Sequence, residues 1–231
     1  MAFTIAVAGK GGTGKTTIAS LVVRYLVSRG MTPVLGVDAD PNSNLAEAFD
    51  TRVTRTIGDV LGDFVKKKPD IPPGMTKESY LEVHLNSVVI EGKGMDFIVM
   101  GRKHGPGCYC YPNVLLKNFV DKLASNYRYV VMDNEAGMEH VSRKNVEHID
   151  LLLLVSDHTA RGLRAALRIN TILDEMGTPV KNKALVINRF DETNERALRD
   201  DVRKIGVDSV FKAPFDEVLG RIDVDNTPVM S

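Results

Sequence analysis

Residues 9–16 read GKGGTGKT, directly after the apolar run FTIAVA (Phe3–Ala8) and ahead of a helix-like stretch, Gly14–Ser28. No other feature limits the folds open to this chain as strongly. The pattern fits G-x-x-x-x-G-K-S/T in its required setting of strand, loop and helix. Glycines let backbone N–H groups approach phosphate oxygens, and the helix N-terminus adds positive potential. Lys15 is placed to reach the β and γ phosphates, and the Thr16 hydroxyl to hold Mg²⁺. The cradle comprises Gly9, Gly11, Gly12, Thr13, Gly14, Lys15, Thr16 and Thr17.

The rest of the chain repeats the same rhythm. PVLGVD (Pro33–Asp38), DFIVM (Asp96–Met100), YVVMD (Tyr129–Asp133), LLLLV (Leu151–Val155), KALVIN (Lys183–Asn188) and SVFKA (Ser209–Ala213) read as buried strands. Helix-like stretches at Pro112–Ser125, Arg161–Glu175 and Asn194–Ile205 separate most of them. The alternation predicts an α/β fold: one mostly parallel central sheet of about seven or eight strands, with helices on both faces. Ligands of such sheets bind at the carboxyl ends of the strands. Residues 1–231 read as a single domain. Within it, 50–94, rich in Lys, Pro and Gly around KKKPDIPPGM, reads as an irregular insertion with short helices.

The formal net charge is +0. That balance argues against a nucleic acid backbone or an anionic membrane as a partner chosen by bulk charge. The longest apolar run, Leu151–Val155, is too short to cross a bilayer. The start MAFTIAVAGKGG lacks the basic and apolar regions of a secretory leader, and two cysteines cannot make a disulfide framework. The expectation is a cytoplasmic protein with reduced thiols.

Lys10 sharpens the reading. A lysine after the first glycine, in K-G-G-x-G-K-T-T, resembles the deviant Walker A motif of the MinD, ParA, ArsA and nitrogenase iron protein class of dimeric ATPases. The resemblance implies ATP hydrolysed to ADP and phosphate, and a nucleotide-sandwich homodimer in which Lys10 reaches the other subunit's phosphates. Lys10, Lys15 and Asp40 are then the catalytic set. Asp40, in VDADPNSN, would orient or deprotonate the attacking water, and Asp38 would support the Mg²⁺ and its switch region. Asp133, in VVMDNEAG, would be a Walker B carboxylate, with Gly137 as a hinge. Asn188 in VINR is placed like the class's base-reading asparagine, with Arg189 beside it, and Pro214 in APFDE lies in a segment resembling the loop that wraps the base.

The only two cysteines, Cys108 and Cys110, share the window HGPGCYCYPN. In an extended segment they would present two sulfurs to one side. Pro112 suits the first position of the following helix, whose N-terminus favours thiolate over thiol. Two thiolates are half of a Cys₄ site, and two chains would complete a tetrahedral set for Zn²⁺ or another thiophilic metal. GPGCYCYPN together with MDNEAGMEHVSR resembles the CooC family of accessory ATPases, over essentially the whole chain. That resemblance implies nickel or zinc shared across the dimer. It also implies ATP-coupled nickel insertion into a client, carbon monoxide dehydrogenase or the acetyl-CoA synthase complex. His104 and His140 lie near this region but are not counted as ligands. Two other readings stand beside it. One is an ATP-gated electron carrier like the nitrogenase iron protein. The other is a MinD- or ParA-like positioning module, although the tail RIDVDNTPVMS shows no helical apolar face.

Overall fold

The computed structural model describes residues 1–40, 44–66, 71–101, 110–134, 148–192 and 195–225. Eight strands form one sheet: β1 (Phe3–Gly9), β2 (Val34–Asp38), β3 (Ile90–Glu91), β4 (Met95–Val99), β5 (Tyr129–Asp133), β6 (Ile149–Asp157), β7 (Val180–Phe190) and β8 (Ser209–Pro214). Their order across the sheet is β3-β4-β2-β5-β1-β6-β7-β8. Every pairing is parallel except β3 with β4. The predicted parallel sheet is therefore present, and β3 is an added antiparallel edge. Two residues are too few to show a period of two, which is why no sequence pattern announced it.

The helices are α1 (Lys15–Ser28), α2 (Asn44–Glu47), α3 (Ile57–Lys66), α4 (Lys77–Asn86), α5 (Cys110–Ala124), α6 (Ala160–Glu175), α7 (Glu195–Ile205) and α8 (Glu217–Asp225). Alternate residues of each strand feed opposite faces. On one face Val7, Val34, Val131 and Val155 pack with Ala19, Val23 and Leu26 of α1. On the other, Leu35, Val37, Ile98, Val130 and Met132 meet α3, α4 and α5. Farther along that face, Ala6, Leu152, Leu154 and Leu185 meet α6 and α7.

The stretch 50–94 is more regular than its composition suggests. Ile57, Val60, Leu61 and Phe64 recur at helical spacing and lie in the core beside Leu81 and Leu85 of α4. Thr76 caps α4, its side chain accepting from the Ser79 N–H at 3.1 Å. The helix expected from Pro112 starts at Cys110, so Pro112 is its third residue rather than its first. Its missing N–H falls among the first-turn donors that have no intrahelical partner in any case. Arg221–Asp225, read as part of a tail without helical character, belongs to α8.

Candidate nucleotide site

The phosphate loop leaves β1 at Gly9 and enters α1 at Lys15. Its tip residues Lys10, Gly11 and Gly12 are exposed. Thr13 closes the turn, its Oγ1 donating to the Lys10 carbonyl at 2.8 Å. Gly14 stands at φ 89° with the Asn188 amide packed against it. A Cβ there would lie 2.3 Å from Asn188 Nδ2, so both backbone and neighbour demand glycine. Lys15 is 7% exposed. Its ammonium lies 3.5 Å from the Lys10 carbonyl, at the outer limit of a hydrogen bond. The buried cation is thus held inside its own loop. Thr17 follows in the first turn of α1.

Three acidic residues meet this loop from the carboxyl ends of β2 and β5. Asp38 and Asp133 are register partners in adjacent strands. Asp38 has no exposed surface. Its Oδ1 accepts from the Asp40 N–H at 3.0 Å and its Oδ2 from the Leu45 N–H at 2.8 Å. Burial pushes its pKa up to about 7, against the Leu45 hydrogen bond and with help from the nearby Asp133. Asp38 therefore fixes the backbone at Asp40 and the start of α2. Asp40 itself is half-buried.

Asp133 is 1% exposed. Its Oδ2 accepts from Thr16 Oγ1 at 2.6 Å. Its Oδ1 has no hydrogen-bond partner among the described residues. Burial raises its pKa to about 6, with the Thr16 hydrogen bond and the Lys15 charge pulling the other way. An orphaned carboxylate oxygen beside a threonine hydroxyl is the donor set of a hard divalent cation. Thr16 and Asp133 fit Mg²⁺, which when bound neutralises phosphate charge.

Asn188, Arg189 and Pro214 gather at the ends of β7 and β8, where Phe190 and Pro214 are register partners. Asn188 Nδ2 donates to the Thr13 carbonyl at 2.9 Å, and its Oδ1 accepts from the Arg189 N–H at 2.9 Å. Arg189 has φ 52°, a left-handed turn within the strand. Asn188 thus braces the loop. Replacing it with alanine should cost about 1 kcal/mol of stability and weaken ADP binding severalfold. Titration of ADP by calorimetry checks this.

One buried polar residue received no role from the sequence. Asn134 donates its Nδ2 to the Val7 carbonyl at 3.0 Å, and its Oδ1 is buried without a hydrogen-bond partner among the described residues. Its position directly after Asp133 was the available signal. Cys108, His104, Gly137 and His140 lie outside the described residues, while the backbone of Cys110 opens α5. Among the described residues no group of three or more His, Cys, Asp or Glu is arranged to hold a metal. Nor, among them, is any helix long and apolar enough to cross a membrane.

A strand, glycine loop and helix, with a threonine–aspartate pair at the loop, define a P-loop ATPase. Residues 4–229 match the CobQ/CobB/MinD/ParA nucleotide binding domain, and the chain belongs to that family of ATP-binding ATPases. An uncharacterized ATP-binding protein of Methanocaldococcus jannaschii is 36% identical over 97% of this chain and 89% of its own. The carbon monoxide dehydrogenase accessory protein CooC of Rhodospirillum rubrum is 27% identical over 95% of this chain and 86% of its own. Among solved structures, the septum site-determining protein MinD of Pyrococcus horikoshii, complexed with Mg-ADP, has 20% identity and a TM-score of 0.67. That match covers 99% of this chain and 87% of the other. A ParA family ATPase from Chlorobium tepidum matches with a TM-score of 0.69, at 20% identity over 98% and 90%. These two likenesses concern the fold.

Proposed function

We propose that this chain is a dimeric, metal-carrying ATPase that uses ATP to deliver nickel to a carbon monoxide dehydrogenase or acetyl-CoA synthase client. The observation that carries the reading is Cys110 at the head of α5, two residues after the only other cysteine. Similarity to CooC over 95% of the chain supports it. Cys108 and Cys110 supply two thiolates, and the second subunit supplies two more. The metal is cargo, bound in one nucleotide state and released in another.

The hydrolytic half uses the residues described above. Lys15 holds the β and γ phosphates, and Thr16 with Asp133 holds Mg²⁺. Asp38 fixes the backbone of Asp40, whose carboxylate positions the attacking water in line with the γ-phosphate. Lys10, exposed at the loop tip, places its charge on the facing subunit's phosphates, where negative charge builds up. The whole chain acts as one domain in the cytoplasm.

The test is Ni²⁺ and Zn²⁺ titration under anaerobic reducing conditions with molar mass measured alongside. The expected result is one metal per two chains, lost in C108S/C110S, with an affinity that changes when an ATP analogue binds. No binding, or binding that survives the double substitution, leaves a MinD-like nucleotide switch without metal cargo.

A further inference from the structure

Helix α6 carries three arginines along one face. Arg161, Arg164 and Arg168 are exposed and spaced i, i+3, i+7, so they form one stripe on its outer face. The stripe occupies the N-terminal half of the helix, whose first turn has no acidic residue. The first turns of α1 and α5 likewise have none, while those of α3, α4 and α8 hold Asp59, Glu78 and Glu217, as the helix dipole favours. Among the described residues none of the three arginines has an ion pair or hydrogen bond. The arrangement sets like charges three and four residues apart, which is unfavourable, whereas the helix N-terminus itself has a carboxylate beside it, Asp157 Oδ1 accepting from the Thr159 N–H at 3.1 Å. Like charges repeated along one exposed face without ion pairs mark a candidate functional surface.

We propose that this stripe docks a short acidic segment of a partner protein. Guanidinium groups grip carboxylates with two parallel hydrogen bonds, and arginine alone is used here. The stripe spans roughly 10 Å of helix. Acidic groups bound it: Asp157 ends β6 just before the helix, and Glu175 lies on the same face seven residues after Arg168. A long polyanion such as duplex DNA, or an anionic membrane, would run onto those carboxylates. A helix with glutamates at matching spacing would not. The position is also pertinent. The end of β6 lies beside the phosphate loop, Val155 being the register partner of Gly9, so a partner here sits next to the nucleotide edge. The inference does not depend on the cysteines or on metal delivery.

The probe is a fluorescein-labelled helical peptide of about 14 residues with glutamates at i, i+3 and i+7, followed by anisotropy at low salt. R161E/R164E/R168E should weaken binding at least tenfold, with ATP turnover and molar mass unchanged. R199E/R203E on α7 should bind as the unaltered protein does. Added salt should weaken the complex. A second readout is thermal: R161Q/R164Q should raise the melting temperature, because repulsion is relieved. The proposal is overturned by peptide binding that is absent, or equal in the triple variant, or lost equally in the α7 variant. It is equally overturned if duplex DNA or phosphatidylglycerol vesicles bind the stripe while the peptide does not, if the triple variant loses its dimer, or if the melting temperature falls.

Discussion

Asp133→Asn should produce a protein that is more stable without nucleotide and nearly inactive with it. The asparagine keeps an oxygen for the Thr16 hydroxyl, which now donates to Asp133 Oδ2 at 2.6 Å. It replaces an orphaned anionic oxygen with a neutral amide. The native carboxyl is raised from 3.8 to about 6 by burial, so its charge opposes folding at neutral pH. Removing that charge should stabilise the nucleotide-free fold by about 1–3 kcal/mol. Turnover with Mg²⁺ and ATP should fall by a factor on the order of 100 or more, because the cation loses its anionic ligand. The pH dependence has a definite sign. Asp38 and Asp133 both titrate higher when folded, at about 7 and about 6. The folded chain thus keeps protons that the unfolded chain releases. Their contribution to stability is greatest below pH 4, falls as pH rises through 7, and is flat above. Chemical denaturation from pH 4 to 8 should show this decline, with a shallower slope in Asp133→Asn. A variant less stable than the native protein at pH 8 would contradict this.

Gly9→Ala should disrupt the fold itself. Gly9 and Val155 are register partners in β1 and β6, and an added Cβ would stand 2.2 Å from the Val155 carbonyl oxygen and 3.1 Å from Thr13 Oγ1. The first neighbour is backbone in the middle of the sheet and cannot rotate away. The two strands must part, and the loop between β1 and α1 moves with them. A loss on the order of 3 kcal/mol follows from overpacking of this kind. For a chain of this size that lowers the melting temperature by roughly 6–12 °C. Nucleotide affinity should drop with it. A melting temperature within about 2 °C of the native value would show that the strands yield more easily than this geometry allows.

The sequence disclosed what is local and periodic. Seven of the eight strands follow from continuous apolar runs, and the loop from fixed spacing around Lys15 and Thr16. What it withheld needs the third dimension. The brace from Asn188 to Thr13 spans 175 residues, and nothing near Asn188 in the chain announces its acceptor. Asp38 was legible as a strand-end carboxylate, yet its grip on the Asp40 and Leu45 N–H groups depends on where α2 begins. The helices of 50–94 were hidden by their setting. Ile57, Val60, Leu61 and Phe64 do show the period, but Gly58, Gly62 and the run KKKPDIPPGM mask it by composition. β3 has only two residues and is held by its pairing with β4. Of the cysteine pair, only the backbone of Cys110 falls among the described residues, so the proposed shared thiolate site is argued from composition and similarity.

The place of β1 in the sheet bears on how the protein is made. It leaves the ribosome before the other seven strands of the sheet, yet its neighbours are β5 and β6, with Ile5 opposite Val131 and Leu151. The nascent strand has no lateral partner until synthesis has passed β5, Tyr129–Asp133. Its loop lacks the Asn188 brace until later still. At ordinary translation rates of about 5–20 residues per second, that delay is roughly ten to forty seconds. ATP competence is therefore acquired late in synthesis, and a ribosome stalled before β6 displays a phosphate loop that cannot yet grip its ligand.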